Sequence, residues 1–61
     1  MAKLSGIEIQ SLRHLIGDEQ LSATKAQSYA QNATDPKLKD FFNKEAKQAQ
    51  ANAQDLLKFL D

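Results

Sequence analysis

The segment that decides the fold runs from Asp35 to Leu60 and reads DPKLKDFFNKEAKQAQANAQDLLKFL. Asp35 and Pro36 are typical of a helix start, because an aspartate at the N-cap accepts a free backbone N–H and a proline fits the first turn. Apolar residues then recur at steps of three and four, which is the spacing of one face of an α-helix. They are Leu38, Phe42, Ala46, Ala49, Ala53, Leu56 and Leu60. We predict a helix over about residues 36–60.

The first half of the chain predicts a second long helix. Ser5 and Glu8 form an S-x-x-E capping box, so this helix begins at about residue 6 and continues to about residue 33. Gly17 interrupts it, at a cost of about 1 kcal/mol relative to alanine. One alternative is a break, with Asp18 capping a further helix. Because the apolar stripe of this helix keeps its phase across Gly17, from Leu12 and Ile16 to Ala23, we predict one continuous helix.

A very short loop joins the two helices, since Asn32 and Thr34 are turn formers and Pro36 disfavours helix at the residue before it. The fold class is therefore all-α, a two-helix antiparallel hairpin in which residues 1–61 form one domain. Pairing outward from the loop puts Glu19 level with Ala49 and Asn52. Large apolar residues remain beside the seam between the helices, and a homodimer forming a four-helix bundle is the simplest way to cover them. These residues are Leu15, Leu21, Tyr29, Phe41, Leu57 and Phe59.

Composition limits the classes of function. The chain has 61 residues, eight Lys plus Arg balanced by eight Asp plus Glu, and no cysteine. A neutral chain of this kind has no electrostatic footprint for nucleic acid or anionic lipid, and it has no disulfide or zinc–thiolate site to support a small core. It also contains no apolar run of membrane-spanning or signal-peptide length. We expect a cytoplasmic protein that is stabilised by association.

Two glutamates are the first candidates for chemistry. Glu19 lies on the stripe of the first helix, and Glu45 lies beside that of the second, with Gln48 three residues later. Four-helix bundles bind two metal ions with such carboxylates together with Glu-x-x-His motifs, but His14, the only histidine, is on the first helix. We therefore expect no metal, cofactor or catalytic residue. Asn52 is either a hydrogen-bond partner of Glu19 that sets the register or an unrelated surface amide.

The order of residues resembles the spore coat protein F family of endospore-forming bacteria. The residues that carry this resemblance are Leu4, Ser5, Glu8, Ile9, Leu12, Glu19, Lys25, Tyr29, Ala30 and the D-P-x-L-K segment at Asp35–Lys39. The chain is more distantly similar to one helical hairpin of rubrerythrin, through GDEQ at Gly17–Gln20 and LLKFLD at Leu56–Asp61. Ala49 and Asn52 stand where those proteins have metal ligands.

The resemblance implies a ferritin-like scaffold without the metal chemistry of its relatives. We therefore expect a non-enzymatic structural or assembly protein, located in the cytoplasm or in the spore coat. Its partners are expected to be a second copy of the chain and other coat or assembly proteins. Two alternatives stay open, namely a degenerate ferritin-like metal-binding protein and a regulatory module that binds a partner helix through Phe41, Leu57 and Phe59.

Overall fold

The computed structural model describes residues 4–60 and confirms the all-α hairpin. Helix α1 spans Gly6–Asn32 and helix α2 spans Pro36–Leu57, followed by one 3₁₀ turn at Lys58–Leu60. The two helices lie antiparallel and form a rod of 46 × 16 × 11 Å. The predicted domain limits at residues 1 and 61 lie outside the described residues. Within those residues, no helix combines the length and the hydropathy that a membrane crossing requires.

Both predicted helix starts are confirmed in atomic detail. The Ser5 hydroxyl accepts the Glu8 backbone N–H at 3.1 Å, and the Glu8 carboxylate accepts the Ser5 backbone N–H at 2.9 Å. At the second start, the Asp35 carboxylate accepts the Lys37 backbone N–H at 2.9 Å, with Pro36 in the first turn. These contacts satisfy backbone donors that have no partner inside their helix. The loop is therefore limited to residues 33–35.

Helix α1 is continuous through Gly17, as predicted. Gly17 does not have a positive φ, and a Cβ added there would meet no atom within 4 Å. The glycine therefore serves neither a left-handed turn nor a close approach to a neighbouring segment.

The core of the hairpin is a seam of small side chains. Ile16 and six alanines are the buried apolar residues: Ala23, Ala26, Ala30, Ala46, Ala49 and Ala53. Alanines that face each other let two helix backbones approach closely, but each of them removes little apolar surface from water. In the described residues, no large side chain is fully buried.

Two residues predicted on the buried stripe are exposed. Leu38 is 48% exposed and Leu60 is 38% exposed. Leu38 follows Pro36 in the first turn of α2, where the loop has already separated the chain from the end of α1. Leu60 lies in the 3₁₀ turn, whose tighter winding rotates side chains away from the line they would follow in an α-helix. The α-helix itself ends at Leu57, three residues before the predicted end.

Gly17→Ala is expected to stabilise the protein by about 1 kcal/mol, because alanine has the higher helix propensity and the added methyl group meets open space. Tm should rise by roughly 4–8 °C, measured by circular dichroism. Gly6→Ala, at the first residue of the same helix, is the matched control and should change Tm less. A Gly17→Ala variant that melts at or below the wild-type Tm contradicts this account of Gly17.

The capping box makes the stability of the folded protein depend on pH in acidic solution. The hydrogen bond from the Ser5 backbone N–H, and then that from the Ser5 hydroxyl, lowers the pKa of Glu8 from its ordinary 4.5. Because the folded pKa is the lower one, this contribution is complete above pH 4.5 and is lost as the pH falls through the lowered value. Glu8→Gln keeps an acceptor but removes the titration. Its unfolding free energy, measured in urea, should decrease less than that of the wild type below pH 4.5, and parallel curves would refute this role.

Candidate functional site

The two sides of the hairpin differ in chemistry. One side, here called the apolar face, carries two grooves lined by aromatic and aliphatic residues of both helices, among them Leu15, Tyr29, Phe41 and Phe59. The opposite side, here called the glutamine side, carries a groove lined mainly by Gln20, Thr24, Gln27, Gln50 and Gln54. All four aromatic residues thus lie on one side, together with the exposed Ile7 and Leu15, whereas Leu57 is exposed on the glutamine side. The concentration of aromatic rings makes the apolar face the candidate functional site.

An aromatic cluster forms the end of the apolar face near the loop. The ring centroids of Tyr29 and Phe42 are 5.2 Å apart, and those of Phe41 and Phe42 are 5.5 Å apart in an edge-to-face arrangement. Such tilted pairs are favourable contacts. Tyr29 and Phe41 nevertheless remain 53% and 54% exposed. The cluster is a preformed aromatic surface with one side open.

An aliphatic groove forms the other end of the apolar face, beside the start of α1 and the end of α2. Leu12 and Leu15 from α1 line it together with Leu56 and Phe59 from the end of the chain. Ile7 at its rim is 77% exposed, the largest exposure of any large apolar side chain described. Contiguous apolar surface of this kind marks sites of association in soluble proteins.

Between these two ends the apolar face carries a layer of polar side chains. The Asn52 amide donates to the Glu19 carboxylate at 3.3 Å, and the Gln48 amide donates to the Asn52 carbonyl oxygen at 3.0 Å. Glu19 is the midpoint of α1, so these three residues form a polar layer half-way along the rod. Of the two alternatives that the sequence left open for Asn52, the structure shows the hydrogen-bond partner of Glu19. Polar layers of this kind set register in helical bundles.

The groove that Glu19 and Asn52 line, here called the central groove, also contains two charged side chains that have no ion-pair partner among residues 4–60. Lys25 and Glu45 both line it, on the loop side of the polar layer. In residues 4–60 the ion pairs are His14 with Asp18 at 3.7 Å and Lys58 with Asp55 at 3.3 Å, so neither Lys25 nor Glu45 is paired. The sequence singled out Glu45 but not Lys25 as a candidate for chemistry, although the four-residue spacing between Lys25 and Tyr29 puts these two side chains on one face of α1.

The candidate metal ligands are only partly brought together. Glu19 and Glu45 line the central groove, but His14 is exposed and lies with Asp18 at the outer edge of α1. Among the described residues, no group of three or more histidine, cysteine, aspartate or glutamate side chains is placed to hold a metal ion.

Comparison with known proteins gives no relative. No family model, no curated protein and no solved structure matches the chain.

Asn52→Asp is expected to destabilise the protein by about 1 kcal/mol at pH 7, because it puts a carboxylate 3.3 Å from that of Glu19. The loss should disappear when the pH is low enough to protonate one of the two acids. Asn43→Asp, at an exposed position of α2 four residues from both Lys39 and Lys47, is the matched control and should cause no loss. Equal urea stabilities for the two variants at pH 7 would show that the contact between Asn52 and Glu19 contributes nothing.

Proposed function

We propose that this chain is a non-enzymatic structural protein that self-associates through its apolar face. Two hairpins form a homodimeric four-helix bundle of the ferritin-like kind. The dimer acts as an assembly unit, in the cytoplasm or in the spore coat, as in the spore coat protein F family that the sequence resembles. The observation that carries the proposal is that all four aromatic residues lie on one side of a core of alanines.

The exposed surface agrees with a subunit rather than with a finished monomer. The chain exposes 4908 Å², whereas a compact monomer of 6.8 kDa exposes about 4000 Å². The excess of about 900 Å² is close to the roughly 800 Å² that each partner contributes to a standard protein interface. A second copy covers this area with a surface of matching size, and one patch then serves both subunits.

The core also favours association. Burying a large aliphatic or aromatic side chain contributes about 1.5–3 kcal/mol, and Ile16 is the one buried residue of this class between residues 4 and 60. Tyr29, Phe41 and Phe59 would supply the missing contribution when a partner covers them.

Two other functions make different predictions for the same purified protein. A degenerate ferritin-like metal-binding protein, using Glu19 with Glu45 or His14, would bind iron, manganese or zinc and melt at a higher temperature in its presence. A helix-binding regulatory module would be a folded monomer with a free groove. The light-scattering mass and the metal content of one sample separate all three functions.

Phe41→Gln is expected to weaken the dimer about 100-fold. Phe41 is about half exposed in the hairpin, so covering the rest contributes about 1.4 kcal/mol, and each dimer carries the change twice. Sedimentation equilibrium measures the dissociation constant. The matched control is Leu57→Gln, because Leu57 is 42% exposed but lines the groove on the glutamine side. A wild-type protein that is monomeric at micromolar concentration, or equal losses in the two variants, would overturn the proposal.

A further inference from the structure

We propose that the two hairpins of the dimer lie side by side with both loops at the same end of the bundle. This inference rests on the proposed function, and it specifies how the second copy sits on the apolar face. The two-fold axis then runs parallel to the helices, between the two apolar faces. Helix α1 of each copy packs against α2 of the other, so all neighbouring helices are antiparallel.

Two contacts in the hairpin define which residues share a level along the rod. The Asn52–Glu19 hydrogen bond marks the middle, and the contact between Tyr29 and Phe42 marks the end near the loop. Counting along the helices between these contacts puts Lys25 level with Ala46, next to Glu45. A two-fold rotation about an axis parallel to the helices leaves each residue at the same level along the rod. Each residue of α1 therefore meets, on the second copy, the same level of α2 that it faces in its own hairpin.

The charges of the apolar face match in this arrangement. Lys25 faces the second copy's Glu45, and the symmetry repeats the pair. Both residues lack an ion-pair partner in the hairpin, and both line the groove that the second copy covers. Removing a charged side chain from water is costly unless an opposite charge contacts it. This face therefore favours a partner that carries a glutamate level with Lys25 and a lysine level with Glu45, as a second copy of the chain does.

The polar layer matches as well. Glu19 faces the second copy's Gln48 and Asn52, whose amides still have free N–H groups after the two hydrogen bonds inside the hairpin. A carboxylate therefore meets donors on both sides. At the two ends, Tyr29 meets the aromatic rings of α2, and Leu15 meets Leu56, so that every level pairs with compatible chemistry.

The opposite arrangement, with the loops at the two ends of the bundle, loses these matches. Its axis crosses the rod near Glu19, the midpoint of α1, and lays α1 on α1, so the two Glu19 carboxylates approach each other. Lys25 and Glu45 both lie between the middle of the rod and its loop. A two-fold axis perpendicular to the helices reverses the second copy, so that the second copy's Glu45 lies in the half of the rod that is far from Lys25. Both charges would then be covered without a partner, and like charges would meet at the centre.

Spin labels distinguish the two arrangements. The chain has no cysteine, so Thr34→Cys puts one label in the loop, and Gln20→Cys puts one at the middle of the rod on the glutamine side as the matched control. Pulsed electron–electron dipolar spectroscopy then measures the distance between the labels of a dimer. With both loops at one end, the backbones at Thr34 lie about 10–20 Å apart. With the loops at opposite ends they lie about 45 Å apart.

We expect the short distance at residue 34. Residue 20 lies at the middle of the rod on the outer side of the dimer, so in both arrangements its distance spans the thickness of the bundle and shows that the labelled chains have paired. About 45 Å at residue 34 with the same distance at residue 20 overturns the arrangement while the dimer stands. A monomeric mass for both labelled proteins and for the unlabelled protein, with no dipolar coupling, overturns the proposed function and the arrangement with it. The light-scattering mass of each labelled sample shows which of the two ideas has failed.

Discussion

The close contact of two helices along an alanine seam is the constraint on which the rest of the structure depends. Six alanines and Ile16 occupy the space between α1 and α2, so the hairpin has no room for its larger apolar side chains. Those side chains lie beside the seam, and the aromatic ones lie on the same side of the rod. The seam therefore makes a precise but weakly stabilised pair of helices, and it leaves the apolar surface for a contact outside the hairpin.

The apolar face combines two kinds of contact that have different consequences. The aromatic cluster and the aliphatic groove supply area to be covered, which favours association with many apolar surfaces. Glu19, Asn52 and Gln48 form a connected polar layer, and a partner must satisfy that layer or lose free energy. In the proposed dimer, affinity therefore comes from the two ends of the rod and selectivity from its middle.

The sequence predicts the local features of this fold well because each depends on neighbouring residues. Ser5 with Glu8 and Asp35 with Pro36 mark the helix starts, and the phase of the stripe carries α1 through Gly17. The contact between Glu19 and Asn52 follows from counting outward from a short loop. The exposure of Leu38 and Leu60 could not be predicted in this way, because it depends on where the loop leads into α2 and on the 3₁₀ turn that follows α2. A stripe of helical spacing is also wider than the line along which two helices touch, so spacing alone could not separate residues that face the other helix from residues that line the open groove, such as Lys25 and Glu45.

The short loop at residues 33–35 has a consequence for the time course of folding. Contacts between α1 and α2 begin a few residues from the loop and extend outward one turn at a time, so the ends of the chain need not find each other first. A helical hairpin of this topology belongs to the class that folds in microseconds to milliseconds, whereas the encounter of two chains depends on their concentration. If the chains pair as proposed, each newly made chain therefore presents a formed apolar face before it pairs, and dilution prolongs the time for which that face is exposed.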